Sequence, residues 1–141
     1  MEKFCLSLWG GKDEGVPGWQ RTLLKFTWPL LRKILIFLLD ITPQNSEKGL
    51  KYTKSIFKEI DALLADGRKY LLNTEEPTFV DVTFASLTGP LAVPDNYGGA
   101  ALAGESKFVV SHYSAEGQKE AKWFRNTPSG KFALKLYKEF R

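Results

Sequence analysis

Few side chains in this 141-residue sequence have a type and spacing suited to chemistry, and Asp81 is the most informative of them. It follows Thr78 by three residues and opens an apolar run, which is the spacing of a helix-capping pair. The threonine hydroxyl can accept a hydrogen bond from the Asp81 amide, and the carboxylate can accept one from the Thr78 amide. We therefore expect Thr78 and Asp81 to be a structural helix cap, and Asp81 not to be a catalytic acid or base.

The chain has one histidine, His112, and one cysteine, Cys5. Neither has a partner at the spacing of a metal site or a catalytic triad, so we predict a surface histidine, an inert thiol and no metal. The serines, among them Ser86, Ser111 and Ser129, lie in no nucleophile elbow, and Gly98-Gly99 belongs to no phosphate-binding loop. The catalytic residues, if the chain has any, are unknown from the sequence.

A single cysteine cannot form an intrachain disulfide, which favours a reducing compartment. The first residues do not have the form of a secretion signal, because polar and glycine residues from Gly10 to Glu14 interrupt them. We expect a cytoplasmic or organelle-interior protein that is not secreted.

The net charge of +4 comes from the end of the chain, where residues 107–141 hold 8 basic and 3 acidic side chains. Most of these cations recur at helical spacing, which is typical of a solvated face. An anionic ligand, an acidic partner and nucleic acid are the alternatives, and no specific nucleic acid is predicted. The cations are Lys119, Lys122, Arg125, Lys131, Lys135, Lys138 and Arg141.

The sequence pattern predicts an irregular leader over residues 1–18, followed by one helical domain over 19–141. Apolar residues at steps of three and four from Trp19 predict a helix, with a kink or a break into two helices at Pro29. The apolar stretch from Trp28 to Ile41 is shorter than the about 20 residues that cross a bilayer, and it contains two basic residues. We predict a buried core helix there and no transmembrane segment.

Cap and stop signals divide the rest of the chain. Thr42-Pro43 starts a second helix that ends near Asp66, before Gly67. The helix from Thr78 is apolar on every face, so we expect it to be central and buried, and Gly89-Pro90 to end it. Two more helices are predicted, from about Ser114 to Asn126 and from Pro128 to Phe140, and the second of them again starts with a Thr-Pro pair, at Thr127. The fold class is all-α, with about five helices around the central one.

Several of these segments occur in the same order in a known family. They are Ala62-Leu63-Leu64-Ala65-Asp66-Gly67, Tyr70-Leu71-Leu72, Pro77-Thr78-x-x-Asp81, Phe84-Ala85-Ser86-Leu87 with Pro90 and Pro94, and Arg125-x-Thr127-Pro128-x-Gly130-Lys131-Phe132. Most of residues 19–141 resembles the C-terminal helical domain of glutathione transferases, in which a Thr-x-x-Asp cap starts the central helix.

The resemblance implies that glutathione and the second substrate are bound mainly by different domains. The family binds glutathione through an N-terminal thioredoxin-like domain, which we do not find in this sequence, so no cofactor is expected unless such a domain is supplied elsewhere. The second-substrate pocket of the family draws on the first helices and the C-terminal part of the helical domain. Trp19, Phe26 and Trp123 are the aromatic residues that this resemblance suggests for substrate binding, with core packing as the alternative role.

Three functions follow as hypotheses. The chain could be the hydrophobic-substrate-binding half of a glutathione-transferase-like protein, inactive by itself. It could be a non-catalytic interaction or scaffold subunit, with a protein partner or a second copy on its exposed apolar surface. It could bind an apolar small molecule between its helices without any partner. Whether it is an enzyme is left open.

Overall fold

A computed structural model describes residues 17–95, 97 and 110–140. Within them lie five α-helices and a short 3₁₀ turn at Val110–His112, and no β-strand. The predicted all-α class is confirmed for this part of the chain. Cys5, Arg141, Gly98-Gly99 and nearly all of the predicted leader lie outside the described residues. The helices are α1 (Gly18–Leu38), α2 (Pro43–Leu64), α3 (Phe79–Ala92), α4 (Ala115–Asn126) and α5 (Pro128–Phe140).

The chain divides into two compact units, Met1–Tyr52 and Thr53–Arg141. The division falls inside α2. The first unit holds α1 and the beginning of α2, and the second holds the rest of α2 and the remaining helices. We describe each unit by itself, and the single domain over 19–141 stays a prediction.

In the first unit, α1 runs without interruption through Pro29, so the two shorter helices that we considered are not formed. The prediction of a buried core helix from Trp28 onward is wrong. Phe37 is 83% exposed, and Leu38, Leu39 and Ile41 are exposed as well. Trp28 itself is buried. An apolar sequence shows that a helix face avoids water, but only tertiary contacts decide whether that face is covered.

The start of α2 follows the predicted cap. Thr42 Oγ1 accepts a hydrogen bond from the Asn45 amide at 3.2 Å, and the Asn45 side chain donates to the Asp40 carboxylate at 2.6 Å. The helix ends at Leu64, and Gly67 follows with φ of +83°. This left-handed conformation is easily reached by glycine, which explains the stop signal.

Aromatic rings from α2, α3, α4 and α5 pack together in the core of the second unit. Phe57 of α2 lies edge-on to Phe124 of α4, with ring centroids 4.7 Å apart, and 5.6 Å from Phe84 of α3. Phe84 lies 6.4 Å from Phe132 of α5. Such tilted pairs bury large apolar areas and add a favourable edge-to-face term. These rings join the helices of the unit around one cluster.

One side of helix α3 packs against α4, α5 and Phe57 of α2. Its other side is exposed: Phe79 is 79% accessible, and Val82 and Leu87 are exposed too. The expectation that α3 is buried on every face is therefore wrong. A helix that is apolar all round is buried only where neighbours reach it. The helix also continues past Gly89-Pro90 to Ala92, beyond the predicted break.

Two glycines in the second unit sit where the chain approaches itself closely. A Cβ on Gly130 would lie 1.8 Å from the Phe124 carbonyl oxygen, so only glycine fits between the end of α4 and the start of α5. A Cβ on Gly89 would lie 2.5 Å from Tyr137 Oη and 2.5 Å from Tyr97 Cε2. Gly89 therefore lets two tyrosine rings pack against α3, and this contact explains a glycine inside a helix.

Candidate functional site

The start of α3 is organised by the Asp81 carboxylate, which is 0% exposed. Its Oδ2 accepts from the Thr78 amide at 2.7 Å and from the Thr78 hydroxyl at 2.7 Å. Its Oδ1 accepts from the Leu71 amide at 2.8 Å. Asp81 thus joins the helix start to the buried Tyr70-Leu71 segment. The Thr78 hydroxyl donates to this carboxylate in addition to its place in the capping box.

Burial and hydrogen bonding have opposite effects on the pKa of Asp81. Burial raises the pKa of the carboxyl, because removal from water disfavours its charge. The hydrogen bonds from the Leu71 amide and from the Thr78 hydroxyl and amide together outweigh burial, and the net pKa lies below the usual 3.8. A carboxyl held ionised by three donors is a structural anchor, because it accepts hydrogen bonds but holds no proton to give at neutral pH.

The end of α3 is held by Arg125 of α4. One guanidinium nitrogen, Nη1, donates to the Ala92 carbonyl at 2.9 Å and to the Val93 carbonyl at 2.7 Å. Val93 has φ of +48°, a left-handed conformation that is unusual for a β-branched residue. The prediction that Arg125 belongs to a solvated cationic face is wrong, because it satisfies carbonyls that the helix leaves open. Sequence spacing alone could not locate those carbonyls.

The start of α5 receives a cap from another helix. The Ser129 amide donates to Asp61 Oδ1 of α2 at 2.7 Å, and Thr127 Oγ1 accepts from the Gly130 amide at 3.0 Å. Ser129 is fully buried, and its hydroxyl lies 3.4 Å from the Phe57 carbonyl. A carboxylate at a helix N-terminus is favoured by the open amides and by the helix dipole.

An open cavity of about 280 Å³ lies between α3 and α5. It sits beside the exposed side of α3. Its size is near the lower end of small-molecule pockets, which suits a small apolar group or part of a larger ligand. The lining residues are Val82, Ala85, Ser86, Leu136, Tyr137 and Phe140.

The lining of this cavity can bind apolar groups but offers little for catalysis. Its walls are aliphatic and aromatic, with the hydroxyls of Ser86 and Tyr137 as the polar side-chain groups. Within the described part of the chain, the lining includes no carboxylate, imidazole, thiol or amine that could transfer a proton or attack a substrate near neutral pH. The cavity is therefore our candidate site for binding, without an assigned reaction.

The structure places the three aromatic candidates differently. Trp19 and Phe26 lie on one exposed side of α1 in the first unit, 66% and 80% accessible. Trp123 belongs to the second unit, where its ring centroid is 5.0 Å from that of Phe124 and 6.4 Å from that of Phe57. Trp123 does not line the α3–α5 cavity. Packing against neighbouring rings explains the position of Trp123. The Phe26 side chain is exposed, so core packing does not explain its position.

A polar link between α2 and α4 lies beside Trp123. Lys54 Nζ is 2.6 Å from Glu120 Oε2 and 4.9 Å from the centroid of the Trp123 ring. Both charged side chains are largely shielded from solvent. The indole face and the carboxylate together surround the ammonium group, so the three residues form a structural cluster rather than an open anion or cation site.

Sequence reasoning missed Asp61, Arg125 and the cavity residues. Asp61 has no local sequence signal for its role, because its partner Ser129 lies 68 residues further along the chain. For the cavity no local signal exists, because Val82 and Leu136 come together only when α3 packs on α5.

Other features of the described residues are negative. No cluster of three or more histidine, cysteine, aspartate or glutamate side chains in them could hold a metal ion. None of the helices in these ranges combines the length and apolarity needed to cross a bilayer. His112 lies in the 3₁₀ turn, and its predicted surface position stays a prediction. No protein-family model, curated protein or solved structure matches the chain.

Proposed function

We propose that this chain is the hydrophobic-substrate-binding helical part of a glutathione-transferase-like protein and that it binds an apolar ligand in the α3–α5 cavity. The observation that carries the proposal is the chemistry of the cavity wall: the described residues that line it are four apolar residues and two hydroxyl-bearing residues, with no ionised side chain among them. Such a wall favours apolar ligands through the area that they remove from water. The capped start of α3, quoted above for the resemblance, supports the family assignment.

The cavity can be tested by filling it from an exposed position. Ser86→Phe places a ring into the space from a residue that is already solvent-accessible, so the fold should survive. Thr83→Phe is the matched control, because Thr83 is exposed on the same helix and does not line the cavity. Binding of an uncharged apolar fluorophore should weaken about tenfold or more in the Ser86 variant, equivalent to about 1.4 kcal/mol. Equal binding by both variants would contradict the cavity assignment.

The proposal also assigns glutathione chemistry to a thioredoxin-like domain and not to these helices. Titration of the full chain with glutathione should give no heat of binding, and no conjugation of glutathione to an electrophile should occur. Addition of a separately produced thioredoxin-like domain should be required for any activity. Conjugation by the chain alone would contradict this part of the proposal.

A second candidate function is assembly, in which two copies associate through the exposed side of α3. Phe79, Val82 and Leu87 are exposed there, and the only charged residue of α3 is the buried Asp81. This side therefore brings no like charges together when it meets its own copy, as a two-fold interface requires. Sedimentation equilibrium should show a dimer that Leu87→Glu dissociates and Thr83→Glu weakens less. A monomer at all concentrations would exclude this candidate.

A further inference from the structure

Helix α1 carries a broad exposed apolar side that neither the cavity nor the caps explain. With about 100° between successive residues, its large exposed side chains fall on one side of the helix. Six of them span an arc of about 80°. Ile36 and Leu38 lie about 100° to either side of Trp19. The residues between include Thr22, Thr27 and Lys33. We call this surface the α1 apolar face, formed by Trp19, Leu23, Phe26, Leu30, Ile34 and Phe37.

The two threonines beside this face form hydrogen bonds within the helix. Thr27 Oγ1 donates to the Leu23 carbonyl at 2.9 Å, and Thr22 Oγ1 donates to the Gly18 carbonyl at 3.1 Å. A threonine that bonds back to its own helix presents its methyl group outward and needs no external acceptor. Lys33 is the one charged residue near the face, and a long lysine side chain can extend its ammonium group to a polar boundary. The face therefore suits a surrounding medium without hydrogen-bond partners.

The charge of α1 has a single sign. From Gly18 to Leu39 the sequence has four basic residues and no acidic one. At about 100° per residue, Lys25 and Arg32 fall on the side of α1 opposite the α1 apolar face, and Lys33 falls at its edge. A second copy placed face to face would therefore bring the two Lys33 side chains into the interface with no carboxylate to pair them. The basic residues are Arg21, Lys25, Arg32 and Lys33.

We propose that α1 lies along an anionic membrane surface, with the α1 apolar face in the boundary between headgroups and acyl chains. A helix with a wide apolar face, aromatic side chains and basic residues is the type that binds in the plane of such an interface. Trp19 has the amphipathic ring that prefers headgroup depth. The proposal does not depend on ligand binding in the α3–α5 cavity.

The test is flotation of the full chain with vesicles of phosphatidylcholine alone or with phosphatidylserine as one lipid in three. We expect binding to the phosphatidylserine vesicles, weaker binding to phosphatidylcholine, and loss of the difference at high salt because surface potentials are screened. Phe26→Glu should lower the vesicle-bound fraction about tenfold, because it places a charge in the middle of the face.

The control is Leu72→Glu in the segment between α2 and α3. It also places a carboxylate at an exposed large apolar residue, 55% accessible against 80% for Phe26, outside α1 and outside the exposed side of α3. Its vesicle binding should equal that of the unchanged chain, and circular dichroism should show equal helicity for both variants. The proposal is overturned if the chain does not float, if both variants lose binding equally, or if Phe26→Glu abolishes a lipid-free dimer without affecting flotation. The last result would assign the face to a second copy.

Discussion

The Asp61 carboxylate on α2 accepts a hydrogen bond from the Ser129 amide on α5 at 2.7 Å, across 68 residues of sequence. Because Ser129 is buried, its amide cannot turn to water when that acceptor is removed. Asp61→Ala should lower the free energy of unfolding by about 1–2 kcal/mol, the range of a lost helix cap. Urea unfolding followed by circular dichroism measures this change. Glu59→Ala, at an exposed position on the same helix, should change the free energy of unfolding little. Equal losses of stability in the two variants would show that the Asp61 cap does not stabilise the fold.

Gly130→Ala should be among the most destabilising single changes in the second unit. The added Cβ would stand 1.8 Å from the Phe124 carbonyl oxygen, a backbone atom that cannot rotate away. We expect a loss of roughly 3 kcal/mol or more, at the upper end of overpacking effects. Gly49→Ala is the control, because its added Cβ would meet no atom within 4 Å. Thermal unfolding of both variants gives the comparison, and a Gly130 variant as stable as the control would refute the close contact.

Arg125→Ala should destabilise the junction between α3 and the segment after it. Without the guanidinium group, the carbonyls of the buried Ala92 and Val93 lose their shared donor. The expected loss is about 1–3 kcal/mol, the cost of leaving buried polar groups unsatisfied. Amide hydrogen exchange should also become faster near Val93. Lys122→Ala, an exposed cation on the same helix, should leave both measurements nearly unchanged.

Because of Asp81, the free energy of unfolding should decrease when the pH becomes acidic. Its pKa in the folded chain lies below the usual 3.8, so its stabilisation is complete above that value and is lost as the pH falls through the lower, folded-state pKa. Asp81→Asn should cost about 1–3 kcal/mol at neutral pH, because an amide NH₂ cannot accept from Thr78.

The free energies of unfolding of the two proteins, measured from neutral pH to pH 3 and below, should converge at the acidic end. Asp66, whose hydrogen bonds with Arg68 lower its pKa to about 2, is unchanged in both proteins and cancels from the difference. A constant difference at every pH would show that Asp81 does not titrate as we infer.

The helix boundaries were predicted well where a local signal determines them. Thr42 and Thr127 precede the helices that they were expected to cap, and Pro43 and Pro128 occupy the first helical positions. These signals involve residues within one turn, so the sequence contains the full interaction. The helical stop predicted at Gly89-Pro90 was not observed. Gly89 instead serves packing, because Tyr97 and Tyr137 lie where a side chain on residue 89 would stand.

Burial was predicted poorly for the opposite reason. Phe37 and Phe79 are as apolar as Phe57 and Phe124, yet the first two are exposed and the last two are buried. The difference depends on which helix lies opposite, and that is set by residues far away in the sequence. The caps formed by Arg125 and Asp61 were missed in the same way. The resemblance to glutathione transferases stays a prediction, and so does the role of the aromatic candidates.

The link between Asp61 and Ser129 also has a consequence for biosynthesis. Ser129 lies in the first turn of the last described helix, so the partner of Asp61 is synthesised 68 residues after it. Proteins fold as they emerge, with earlier parts first, but a contact cannot form before both residues have left the ribosome. The second unit should therefore complete its core only after the start of α5 has emerged, and the apolar side of α2 around Phe57 is exposed to chaperones until then.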